Sequence, residues 1–306
     1  MLAYLIRRLL LLGFVLFGVV TLVFFLIHLI PGDPVDIMLG DYAMPADKEE
    51  LRRNLGLDRP LIIQYGEYVS GVVTGDLGES IHSKRQVLDE ILERIPASAE
   101  LMVGAMVVAL LIAFPFGILS ALKPYGILDS SSMLASFIGV AMPNFWLGPL
   151  LILLFSIQLD WLPINERGGL EHLILPSITL GTAMAAMLSR MIRSSLLEVL
   201  GEDYVQNARA KGLKERQVIL KHALRNALIP VITIIGLQIG VLLSGAIITE
   251  AIFDWPGMGS LLLDGIYNRN YPVVQGCILV IATIYTVVNL LTDIAYAWVD
   301  PRVRLS

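Results

Sequence analysis

The sequence predicts an all-α polytopic membrane protein with about six transmembrane helices, both termini cytoplasmic (N-in/C-in), and a helical external segment between spans one and two. Three observations carry that expectation. Only 16% of the 306 residues are charged and 56% are hydrophobic, with a mean hydropathy of +0.74, whereas a soluble domain carries about a quarter charged residues. Apolar windows of about 20 residues, the length that crosses a hydrocarbon core, recur along the chain. Lysine and arginine collect in alternate loops between those windows, as the positive-inside rule requires.

The first window, Leu9–Ile30, follows Arg7 and Arg8 in the opening MLAYLIRRLL. That opening resembles a signal peptide, but an h-region runs only ~7–15 residues and no small-x-small site follows, so the window reads as a retained span. Residues 31–100 are too charged to cross a membrane and too many for a turn. Within them Asp47 and Glu50 have the form of a capping box, with Gly56 as a C′ stop. Pro60 suits the first position of a second helix carrying Leu61, Tyr65, Tyr68, Val69 and Val72. Gly75-Asp76-Leu77-Gly78 reads as a turn, and Val87, Leu88, Ile91, Leu92 and Ile95 as a third amphipathic stripe. A compact helical lid is expected there.

The other windows are Leu101–Leu122, Met133–Ile157, Leu173–Met191, Leu228–Ile248 and Cys277–Val299. In the third, Pro143 and Pro149 surround Asn144, Phe145 and Trp146. Two readings stand for it: a packed kink, or an irregular segment lining a substrate path. In the fourth, Pro176 and the small residues Gly181, Ala183, Ala185 and Ala186 dilute the hydropathy. Small residues let helix backbones approach closely, so this span is expected inside a bundle. The expected organisation is a first helix at 1–30, an external segment at 31–100, and a five-helix core at 101–306 with a cytoplasmic loop at 194–228.

Orientation follows from the loops. Arg7 and Arg8, Lys123, Arg190 and Arg193, the basic residues from Arg209 to Arg225, and Arg302 with Arg304 all fall on one side if both termini are inside. The opposite loops, 158–172 and 249–275, hold Arg167 and Arg269 against Asp160, Glu166, Glu171, Glu250, Asp254 and Asp264.

Catalytic motifs are missing from the sequence. His28, His82, His172 and His222 are scattered, with no HExxH or other metal-ligand spacing. The lone Cys277 lies in an apolar run and reads as a packing residue. Neither a nucleophile elbow nor a phosphate-binding GxxxxGK[ST] loop occurs, so no cofactor, metal or ATP is expected on this chain. Two carboxylates, Glu250 and Asp293, lie in or at the rim of spans. Glu250 reads as a gate or a structural contact, and Asp293 as a structural hydrogen bond. An intramembrane enzyme using both would need them close, yet they sit at opposite ends of neighbouring spans, and a helix rises ~1.5 Å per residue. A simple channel is the third class, and the large polar cytoplasmic loop argues against it.

That loop, Glu202 to Pro230, reads EDYVQNARAKGLKERQVILKHALRNALIP. Glu202 and Asp203 suit a helix N-terminus. Gly212 suits a C′ position, and a second helix near Lys214 would carry Leu220, Leu224 and Leu228 on one face. Composition alone leaves two readings open, a solvated positive-inside loop or a docking element.

The stretch around Gly212 resembles the cytoplasmic EAA loop of bacterial ABC importer permeases, and more specifically the B-type permeases of the dipeptide, oligopeptide and nickel family. The resemblance extends along the chain through Pro31-Gly32-Asp33-Pro34, Gly56-Leu57-Asp58, Pro60-Leu61, Gln64-Tyr65 and Gly75-Asp76-Leu77-Gly78. It continues through Met142-Pro143-Asn144-Phe145-Trp146, Leu175-Pro176-Ser177, Phe253-x-Trp255-Pro256-Gly257-x-Gly259, Arg269-Asn270-Tyr271-Pro272 and Asp300-Pro301-Arg302. The chain departs from the general pattern in having Gln206-Asn207-Ala208 for Glu-Ala-Ala, a late Pro230, and Asn270 where the family more often has Asp.

The resemblance implies a transport subunit that is not an enzyme. It implies pairing with a second homologous permease, two cytosolic ABC ATPases that hold the ATP and Mg, and an extracytoplasmic substrate-binding protein. Residues 203–211 would be the coupling helix. Glu202, Asp203, Tyr204, Val205, Ala208, Arg209, Ala210, Lys211, Gly212 and Leu213 are the expected ATPase-coupling residues, with Ala208 and Ala210 allowing close approach and Arg209 and Lys211 giving charged contacts. Asn144, Phe145, Trp146 and Glu250 are the expected gate or path residues. Peptides are the expected cargo, with nickel chelate, glutathione and oligosaccharide as alternatives.

Overall fold

The computed structural model describes residues 2–29, 35, 39, 44–54 and 57–299. Ile30, Pro31-Gly32-Asp33-Pro34, Gly56, the Asp300-Pro301-Arg302 tail, Arg304 and the Asp293 side chain lie outside the described residues. Among those described the chain is helical, without a strand; an isolated bridge joins Glu79 to Gln86. Five helices are long and apolar enough to cross a membrane, or six if one bent pair counts as a span. The chain folds as two compact units, one of residues 1–97 with 256–287 and the other of 98–255 with 288–306.

In the first unit, α1 (Leu2–Leu29) carries the apolar window Ile6–Phe25. α2 is Pro45–Asn54 and α3 is Leu61–Thr74. Because α2 begins at Pro45, whose fixed φ suits the first helical position, Asp47 lies in the first turn and is not the cap of a capping box. Pro60 precedes α3 instead of opening it; its carbonyl accepts the Ile63 and Gln64 N–H groups at 2.9 and 3.2 Å. Tyr65, Tyr68, Val69 and Val72 are the half-buried face of α3, while Leu61 is exposed. Phe24 of α1 meets the Tyr65 ring edge-on at 5.2 Å, and Thr21 shares a 2.7 Å hydrogen bond with the Tyr65 hydroxyl. Gly75 ends α3 at φ +83°, a left-handed conformation that costs a side chain about 1–2 kcal/mol.

The next helix, α4 (Val87–Leu122), has 36 residues, or about 54 Å at the α-helical rise. The expected external stripe and the expected second span are therefore one helix. Pro96 lies inside this helix; a proline removes one hydrogen bond, and packing on either side holds the helix through it. Within the first unit Val87 and Ile91 are fully buried, and Gly276 lets α11 (Tyr271–Val299) come against them. Gln275 of α11 donates to the Val23 carbonyl at 2.8 Å. Between Pro256 and α11 runs α10 (Met258–Tyr267).

The second unit departs from expectation at the third span. Met133–Ile157 is not one helix: α5 (Ile127–Ala141) and α6 (Asn144–Leu151, continued by π turns to Gln158) are bent by 105°. Pro143 supplies no N–H and disfavours a helical residue before it, so Met142 and Pro143 are both extended (ψ 112° and 143°). The Pro143 carbonyl then starts α6 by accepting from Trp146 and Leu147, each at 3.0 Å.

α7 (Leu170–Leu200) is the most buried span, 61% of its apolar window being covered. The small residues do what was expected of them. A Cβ at Gly181 would lie 2.5 Å from the Ala105 carbonyl oxygen, and one at Gly117 2.8 Å from the Ser189 carbonyl oxygen, so α4 and α7 touch backbone to backbone. After α7 come α8 (Asp203–Ala210), a helical turn Glu215–Gln217, a π turn Val218–Ala223, and α9 (Leu224–Ile252). The expected Leu220–Leu224–Leu228 face is not the buried one. Val218, Ala223, Ala227 and Val231 are buried and Leu220 is exposed. The π turn adds a residue, so the buried positions step by five before stepping by four.

Candidate functional site

The loop 202–230 is a folded element seated on its own chain. Glu202 is extended, and its carbonyl accepts the Val205 and Gln206 N–H groups at 3.0 and 3.2 Å; its side chain makes no capping bond. Asp203 adds negative charge to the positive end of the helix dipole. Val205 and Ala208, three apart and so on one face, are buried with Ala121, Leu196, Val218, Ala223 and Ala227. The small side chain of Ala208 thus serves close packing inside the permease, whereas Ala210 is exposed. Tyr204 is anchored by Asn226, whose Nδ2 donates to the tyrosine hydroxyl at 2.7 Å.

The C-terminal end is equally defined. Lys211 and Gly212 donate backbone N–H groups to the Asn207 and Arg209 carbonyls at 3.1 and 2.9 Å, and Gly212 has φ +75°. A Cβ there would meet nothing within 4 Å, so the requirement for glycine is conformational and not steric. Arg209 bonds Glu215 through Nη2 at 2.8 Å and Nε at 3.2 Å. That pairing raises the guanidinium pKa above its ordinary value and ties α8 to the turn that starts the next span. Glu215 has no recognisable motif around it and was missed from sequence. Lys211, Leu213, Lys214, Arg216, Lys221 and Arg225 remain exposed, giving the loop a basic outer surface.

The expected gate residues separate into two groups. Asn144 is half-buried beside Gly245 of α9, where a Cβ would come within 3.3 Å of its Nδ2. Phe145 and Trp146 are 61% and 52% exposed. Glu250, five residues beyond Gly245, is 1% exposed and accepts a 2.6 Å hydrogen bond from Ser98 Oγ of α4. Its backbone carbonyl accepts the Trp255 N–H at 2.8 Å, and Trp255 and Phe253 are buried beside it. Glu250 is a buried strut joining α4 to α9.

Two further polar contacts escaped the sequence reading. Asp129 at the start of α5 accepts from Nε and Nη2 of Arg193 of α7, at 2.5 and 2.6 Å, and also accepts the Tyr125 N–H at 2.8 Å. A carboxylate at the edge of a span was the signal that could have found it. In the first unit, Asn270 is buried; its Nδ2 donates to Ser80 Oγ at 2.8 Å and its Oδ1 accepts the Ile81 N–H at 3.2 Å. An amide can do both at once and an ionised carboxylate only the second, which gives the departure from Asp a structural use. Among the described residues, no three His, Cys, Asp or Glu side chains come together as a metal site.

Comparison with known proteins agrees with this arrangement. Residues 113–305 match the family described as "Binding-protein-dependent transport system inner membrane component", and residues 1–102 match its N-terminal membrane component. The chain is 45% identical over 333 aligned positions to the di/tripeptide transport system permease protein DppB of Pseudomonas aeruginosa, covering 99% of each. It is 43% identical over 336 positions to the dipeptide transport system permease protein DppB of Escherichia coli K12, again covering 99% of each. The glutathione transport system permease protein GsiC of the same strain is 45% identical over 304 positions, with 99% of each covered. The inward-facing MetNI methionine ABC transporter shares the fold at a TM-score of 0.58 and 16% identity, over 69% of this chain and 96% of that one. A multi-pass helical chain matched end to end in this way belongs to the inner-membrane permease components of binding-protein-dependent ABC transport systems, and is a transport subunit and not an enzyme.

Proposed function

We propose that the chain forms half of the translocation path of an ATP-driven importer of di- and oligopeptides, and takes its energy from a cytosolic ATPase through the loop 202–230. A second homologous permease supplies the other half of the path. Two ATPases hold the ATP and Mg, and an extracytoplasmic binding protein delivers the cargo. Both termini and the 202–230 loop lie on the cytoplasmic side. Peptide as cargo is supported by the names of the dipeptide permeases at 43–45% identity. The glutathione permease at 45% keeps a second peptide-like cargo in view.

The observation that carries the coupling role is the seating of α8. Its inner face is buried against α7 and the start of the next span, and its outer face is basic and open. A helix held this way moves as a rigid body, so a displacement imposed on the outer face is passed to α7 and α9, as in a hinge-type transition. Reconstitution of the chain with its partner subunits tests the proposal. Gly212→Pro is expected to abolish ATPase co-purification and uptake of a labelled dipeptide while membrane insertion persists. Unchanged co-purification would overturn the coupling role, and absence of dipeptide uptake by the intact complex would overturn the cargo.

A further inference from the structure

A polar side chain in the middle of a span is costly to keep in hydrocarbon, and α9 places one at an opening in the otherwise covered helix α7. Gln238 stands midway along α9, half-buried. From Leu175 to Arg193 every residue of α7 is buried or half-buried except Met187, which is 39% exposed. Gln238 Nε2 donates to the Met187 sulfur, a weak acceptor. The Gln238 side chain makes no other hydrogen bond among the described residues. Val241, one turn along α9 from Gln238, is 64% exposed.

We infer that Gln238 and Met187 form a cargo contact in the translocation path, Gln238 Oε1 accepting a main-chain N–H of the passing peptide and Met187 forming an adaptable apolar wall. The inference rests on the peptide-import reading. A carbonyl acceptor reads the peptide bond, which every di- or tripeptide carries, and ignores side-chain identity. The unbranched thioether beside it accommodates side chains of different shapes.

The test compares two peptides in proteoliposomes holding the complete importer: an ordinary dipeptide and the same dipeptide N-methylated at its peptide bond. Taking the ratio of wild type to variant for each peptide cancels any effect on the binding protein. Gln238→Met, close in volume, is expected to slow uptake of the ordinary dipeptide about fivefold, the worth of one hydrogen bond, and to leave uptake of the methylated one at the wild-type rate. Gln238→Leu is expected to behave alike. Equal losses for both peptides, no loss for either, or failure of both variants to retain the second permease would overturn the inference; the last would assign the pair to a subunit interface. A wild-type complex that assembles but moves no peptide would overturn the cargo reading along with it.

Discussion

Gly212 is where one residue type decides a local structure. Its φ of +75° lies in open space, so Gly212→Ala adds no clash and costs about 1–2 kcal/mol through the backbone alone. Faster amide exchange over residues 203–211, with the spans unaffected, is the expected signature. The Arg193–Asp129 pair is a second such point. The pair is bidentate, through Nε and Nη2, and Asp129 is nearly fully covered, so Arg193→Ala leaves a carboxylate without its counter-charge. Breaking a buried pair costs about 3–5 kcal/mol. A fall in the unfolding midpoint in detergent that is largely reversed by adding Asp129→Leu would support this, and additive losses would count against it. At Asn270, alanine removes two buried hydrogen bonds, each worth about 0.5–1.5 kcal/mol. Limited proteolysis should then cut within residues 78–87 sooner than in wild type.

Among the elements, α8 shows how a small residue can be read correctly and placed wrongly. Ala208 does permit close approach, but to Leu196, Val218 and Ala223 of its own chain. Ala208→Trp therefore forces α8 off the permease, an overpacking change of about 1–3 kcal/mol or more. It should lower ATPase co-purification by tilting the helix even though the basic outer face is untouched. Ala210→Trp, on the exposed side, separates the two accounts, because it alone tests the surface presented to the partner. The break between α5 and α6 belongs to the same scale. Two extended residues at Met142 and Pro143 turn the chain by 105°, and α6 then lies beside the C-terminal end of α9 through Gly148, where a Cβ would come within 3.1 Å of Ile252.

For the whole molecule, charge and exposure describe an incomplete assembly. The exposed lysines and arginines between Lys211 and Arg225 pair with no acidic side chain among the described residues, the nearby Glu215 being held by Arg209. The proposed docking of an ATPase to this surface would be sensitive to screening, since exposed charges separated by more than about 8 Å are largely screened at physiological ionic strength. Co-purification of the ATPase is expected to decline as salt is raised, and Lys211→Glu with Lys214→Glu should reproduce that decline at low salt. Insensitivity to both would place the docking energy in apolar contacts.

The amino-acid sequence by itself determined that this is an inner-membrane helical permease, because hydropathy windows, loop charge and ordered local motifs are properties of short stretches read one at a time. It also located the short helix at 203–210, its glycine stop, and the fourth span as the interior one, since caps, positive φ and small residues act within a few positions. It joined the external stripe to no span, because the continuity of α4 through Pro96 depends on packing on both sides of the proline. Only the tertiary structure decided which way Ala208 faces, that Arg209 is engaged by Glu215, and that Ser98 meets Glu250. It also decided that Asp129 lies in the grip of Arg193 and Gln238 at the opening beside Met187. Each of those pairs brings together residues that no periodicity relates, and a hydrogen bond is fixed by distances of about 3 Å that only the packed helices set.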